Sequence, residues 1–175
     1  MNKKFDLIIY AAVALAFAAV AYADWHLGNS LGCKPFLTPD ANIGFDVGSY
    51  AGFRECLSAN AGAGIDRFIA LHTFGFDLVF PPLLALVASL WLFRIANRLP
   101  RFARLPMVAR WLTMSSLPVC YLVADYAENL AVMNWLKSGD SAIPVLIPAM
   151  TAAKFAALGV VVVLAIALKL ATLRH

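Results

Sequence analysis

Four stretches of this 175-residue chain, Phe5–Ala23, Phe68–Phe93, Met107–Leu136 and Ile143–Ala171, are almost wholly apolar. Each reaches about the 20 residues that a helix needs to cross a bilayer. Run length of this kind constrains the fold more than any other feature. In hydrocarbon every backbone N–H and C=O must be paired within the segment or across a closed sheet, and long unalternating runs pair as helices. The whole chain is 62% hydrophobic and 14% charged, with mean hydropathy +0.79. Soluble domains run closer to half apolar and a quarter charged. The expected fold is therefore all-α. It is a polytopic membrane protein, a four-transmembrane-helix bundle forming one integral membrane domain over 1–175. A structured extracytoplasmic loop, residues 24–66, joins helices 1 and 2.

Charge sets the orientation. Lys3, Lys4, Arg94, Arg98, Arg101, Arg104, Arg110, Lys169 and Arg174 flank the N-terminus, the second connection and the C-terminus, opposed there only by Asp6. The first and third connections hold four basic residues against Asp24, Asp40, Asp46, Glu55, Asp66 and Asp140. The positive-inside rule places both termini in the cytoplasm of a bacterial-type inner (plasma) membrane, with the 24–66 loop outside. The arginines from Arg94 to Arg104 are read as topology determinants, with contact to anionic headgroups the lesser alternative. A net charge of +4, segregated in this way, gives no basic face for nucleic acid. Met-Asn-Lys-Lys, an apolar run and Ala21-Tyr22-Ala23 have the anatomy of a cleavable signal. Asp6 and the length of the run favour a retained anchor.

The outer loop carries Trp25, Phe36, Phe45, Tyr50 and Phe53, too many aromatics for a disordered linker. Cys33 and Cys56 both lie in it, on the oxidising face, and a disulfide between them is the natural reading. No C-x-x-C motif supports redox chemistry. Asp66 is placed as the N-cap of the second helix.

Against this apolar background the polar residues stand out. Tyr121, Asp125, Glu128 and Asn129 recur at i, i+4, i+7 and i+8, which is one stripe of the third helix. The second helix carries His72 and Asp77, then Pro81 and Pro82, which free the Asp77 and Leu78 carbonyls and kink the helix. The fourth carries Lys154. At 1.5 Å per residue, Asp77, Asp125 and Lys154 each fall about 16–18 Å below the outer surface, with Glu128 one turn above. Convergence at one depth predicts a shared intramembrane site, with His72 and Tyr121 at its outer and inner mouths. Three carboxylates and one amine leave two negative charges in excess. Burial and mutual repulsion oppose that state, so a proton, a cation or a cationic ligand is expected there at neutral pH. The bland alternative is that buried Asp–Lys and Glu–Asn pairs only fasten helices together, at about 0.6–2 kcal/mol each. For His72 alone, a hydrogen-bonding wall residue is the simpler reading. No His/Cys cluster has zinc spacing, and there is no Ser-His-Asp arrangement or phosphate loop, so no metal and no cofactor are expected.

Asp77-x-x-x-Pro81, Asp125-x-x-Glu128-Asn129 and Lys154 together resemble a group of small four-helix bacterial membrane proteins. That likeness covers the last three helices and names the same polar residues without supplying an activity. Phe76-Asp77-Leu-Val-Phe80, with Asp24 at the end of the first helix, is also similar to the EXPERA family, which includes the sterol Δ8-Δ7 isomerase and the sigma-2 receptor. The EXPERA pattern lacks D-x-x-E-N and the fourth-helix lysine, so its carry-over stops at Asp77 and Asp24. It implies an enclosed cavity for a cationic amphiphile or sterol-like lipid, with a carboxylate as partner or proton donor.

Three functions fit. The first is a ligand-binding protein or lipid-modifying, isomerase-type enzyme, with Asp77 and Asp125 as acid and base, Glu128 and Lys154 adjusting them, and Asn129, Tyr121, His72 and Asp24 around the ligand. Its partners are membrane lipid and a small amphiphilic or cationic ligand. The second is a small proton- or cation-coupled transporter, working as a homo-oligomer. The third is a non-catalytic assembly or accessory subunit docking through the outer loop.

Overall fold

The computed structural model describes residues 47–59, 63–140 and 144–173, together with scattered positions between 7 and 33. Asp24 lies outside the described residues. The described residues are helical apart from turns and connections: α1 (Val47–Ala59), α2 (Gly64–Ala96), α3 (Pro100–Ala103), α4 (Met107–Ser138) and α5 (Leu146–Leu173). Three of these, α2, α4 and α5, are long and apolar enough to cross a membrane. In the first apolar segment the described positions are helical and exposed, and Phe17 meets Phe80 of α2 edge-on at 5.2 Å between ring centroids.

The helix ends follow local chemistry. Gly139, at φ 81°, closes α4 in the left-handed conformation, which glycine adopts without Cβ strain. Pro100 opens α3, where its missing N–H has no helical partner to lose. Asp66 does not cap α2. The helix begins earlier, at Gly64 after Ala63, and Asp66 sits in its first turn, where its charge still favours the N-terminal dipole.

Two apolar clusters sit at opposite ends of the three-helix unit. At one end α1 lies across the ends of α2, α4 and α5, burying Tyr50, Phe53 and Leu57 against Phe68, Trp135 and Ile147. Tyr50 meets Trp135 edge-on at 5.8 Å, and Phe53 meets Phe68 at 5.1 Å. Arg54 fastens this cap, lying 5.5 Å over the Trp135 ring and donating to the Asp140 carbonyl. At the other end Leu92, Ile95, Met114, Val161 and Ala165 form the second cluster. Fully burying a side chain of this size contributes about 1.5–3 kcal/mol.

Cys33 and Cys56 are bonded, with Cα atoms 5.6 Å apart, tying the chain before α1 to the helix itself. In the chain-entropy account a loop of this length contributes about 3 kcal/mol. Replacing both cysteines by serine is expected to remove about that much from the unfolding free energy measured in detergent. An unchanged unfolding midpoint would show that the apolar cap alone holds α1.

Candidate functional site

Between the two clusters lies a layer of buried polar side chains. His72, Asp77, Asp125, Glu128, Asn129, Thr151 and Lys154 are each no more than 7% exposed. They form two groups.

The larger group joins α4 to α5. Lys154 Nζ lies 2.6 Å from Glu128 Oε2 and 3.3 Å from Asp125 Oδ1. Asn129 Nδ2 donates to Asp125 Oδ2 at 3.2 Å. Thr151 Oγ1 donates to Glu128 Oε1 and also lies 3.0 Å from the Ile147 carbonyl oxygen, one turn back. The local cause is helical register. Asp125, Glu128 and Asn129 share one face of α4, while Thr151 and Lys154, at i and i+3, share one face of α5. Lys154 is only eight residues into α5, about 12 Å from its start, whereas Asp125 is about 20 Å from the end of α4. The contacts nonetheless put them at one level. Among the described residues two carboxyl groups face one amine here.

The smaller group lies on α2. His72 Nδ1 approaches Asp77 Oδ2 to 2.6 Å. The two atoms are close, yet Asp77 Oδ2 accepts no hydrogen bond among the described residues. In an α-helix residues five apart point about 140° away from each other. Here Ile69–Phe76 is π-helical, and the Asp77 N–H bonds to the His72 carbonyl, five residues back. That wider turn carries Asp77 over His72. It lies directly upstream of Pro81 and Pro82, where missing donors and ring clash interrupt the α-helical ladder. The His72 ring also stacks on Phe68, 4.8 Å away, and Phe68 belongs to the apolar cluster under α1.

One bond links the two helices beside both groups. The Tyr126 hydroxyl donates to the Leu78 carbonyl at 3.0 Å. Leu78 is the residue whose helical partner Pro82 removes, so a side chain from α4 supplies the missing donor. Leu78 follows Asp77 and Tyr126 follows Asp125, so the bond ties together the two turns that carry those carboxyl groups.

The structure thus joins Asp125, Glu128, Asn129 and Lys154 directly, and joins Asp77 to His72. Tyr121 is buried between Ala85 and Ala157, on the side of the layer toward the second cluster. Among the described residues no group of three His, Cys, Asp or Glu side chains is arranged to hold a metal. Sequence reasoning missed Thr151 and Tyr126. Thr151 was detectable, since it stands three residues before the lysine on the same helical face. Tyr126 lies off the stripe and gains its role only from the neighbouring prolines.

No family model matches this chain, and neither a curated protein nor a solved structure does.

Proposed function

We propose that the chain is a multi-pass protein of a bacterial-type inner membrane, with both termini cytoplasmic and the first apolar segment as a fourth span. Its buried layer binds the cationic head of a small amphiphilic or lipid-like ligand. The observation that carries this reading is the charge balance. Among the described residues Lys154 lies against two carboxyl groups, and the basic side chain beside Asp77 is His72. Ionisable groups placed at this depth mark ligand or proton sites in membrane proteins. The His72–Asp77 contact supplies a proton donor and acceptor pair, so acid–base chemistry on a bound lipid, of the isomerase type, is the enzymatic extension. The EXPERA likeness at Asp77 points the same way.

A transporter reading is favoured by a separate feature. The π-helical stretch followed by Pro81 and Pro82 interrupts α2 at the polar layer, as in the broken helices of proteins that alternate access around a midplane site. In that reading a homo-oligomer exchanges protons for substrate across the His72–Asp77 contact.

Calorimetry on nanodisc-embedded protein separates ligand binding from a purely structural role. An alkyl trimethylammonium is expected to bind at least about tenfold tighter than an uncharged alkyl glucoside of equal chain length, because Coulomb attraction to a carboxylate in a low-dielectric site exceeds the roughly 1.4 kcal/mol that a tenfold change requires. Equal affinities would count against a cation site.

A further inference from the structure

At the opposite end of the bundle from α1, the connection between α2 and α4 and the helix ends flanking it carry Arg94, Arg98, Arg101, Arg104 and Arg110 with no acidic residue among them. Two functions are divided among these five. Arg110 works inside the fold: it donates to Asn97 Oδ1 at 2.7 Å and lies 5.8 Å from the centre of the Phe93 ring, which stacks on Trp111 at 4.2 Å. Arg101 and Arg104 do not. Both are exposed, and among the described residues neither makes a side-chain hydrogen bond or ion pair. They flank a groove of about 750 Å³ whose other walls include Leu99, Phe102, Leu105 and Ala171.

We infer that this groove is a binding site for one anionic phospholipid, with its phosphate between Arg101 and Arg104 and an acyl chain along Leu99, Phe102, Leu105 and Ala171. Both parts of the groove argue for that occupant. Guanidinium groups bind phosphate oxygens through paired N–H donors. An apolar trough beside them, at the ends of α2 and α5, suits a hydrocarbon chain and is of no use to a soluble anion. Basic pockets at the cytoplasmic ends of spanning helices bind anionic headgroups on this principle. The site is remote from the buried polar layer. It rests on the membrane orientation proposed above, but not on any ligand for Asp77.

Native mass spectrometry of protein released from nanodiscs containing equal phosphatidylglycerol and phosphatidylcholine tests it. Wild-type protein is expected to retain phosphatidylglycerol selectively. The double variant Arg101→Gln/Arg104→Gln is expected to lose on the order of tenfold of that selectivity. The control Arg98→Gln/Lys169→Gln, which removes the same charge from the same end, is expected to keep it. Equal loss in both variants would overturn the site in favour of a diffuse surface field. Displacement of the lipid by millimolar glycerophosphate would overturn the acyl-chain half of the assignment. Normal incorporation of all variants into nanodiscs, with lipid selectivity absent even in wild type, would overturn the lipid site while leaving the membrane orientation intact.

Discussion

Replacing Lys154 by methionine is expected to destabilise the protein by about 3–5 kcal/mol, one of the largest effects of any single change. Lys154 is 4% exposed and lies within reach of two carboxylates, of which Glu128 is wholly buried. Its removal strands two like charges in hydrocarbon. Methionine fills nearly the same volume, so packing loss is a small part of the effect. The penalty falls on the carboxylates left behind, and it should therefore be reversible. Adding Glu128→Gln and Asp125→Asn to Lys154→Met removes the stranded charges and is expected to recover most of the lost stability, since a whole buried ion cluster often contributes little net. Unfolding titrations in mixed micelles read both numbers. A triple variant no more stable than Lys154→Met alone would place the penalty in packing and not in charge.

The second large effect concerns Asp77. Asp77→Asn is expected to weaken the binding of an alkyl trimethylammonium by about tenfold or more, with little change in stability. Asparagine is nearly isosteric with aspartate, so the packing beside His72 on α2 is kept. Only the charge disappears. Asp125→Asn is expected to affect ligand affinity less, because Lys154 and Asn129 already engage that carboxylate. Equal losses at both positions would mean that the two groups act as one site with no division of labour.

The contrast between those groups also marks where the sequence was readable. Asp125, Glu128 and Asn129 obey α-helical spacing, and Lys154 stands out as a lone charge in an apolar run, so periodicity singled them out. The depths counted from the observed helix ends, about 20 Å for Asp125 and about 12 Å for Lys154, do not match. The three long spans were legible from uninterrupted apolar length. His72 was expected at the outer mouth of the site, and α-helical geometry would turn it away from Asp77. Only the π-helical stretch brings the two together, and no simple residue pattern announces a change of helical pitch. The double proline was a signal of disruption nearby without indicating its form.

Helix α1 was hidden differently. Its sequence holds two glycines and two serines, which argue for a loop by propensity. Tyr50, Phe53 and Leu57 nonetheless recur at i, i+3 and i+7, a helical face, and their burial under Phe68 and Trp135 outweighs the propensity. Tyr126 was invisible for a third reason. Its role depends on a carbonyl freed on another helix, and that pairing exists only in three dimensions.

The buried layer places three carboxyl groups beside a single lysine, so a proton or a cation is expected to make up the balance. Infrared difference spectroscopy of the carboxyl stretch, on ligand-free protein in lipid at neutral pH, tests this most directly. At least one of Asp77, Asp125 and Glu128 is expected to be protonated, with its signal assigned by the Asn or Gln variant and lost on adding a cationic amphiphile. Three ionised carboxylates with no bound cation would contradict it.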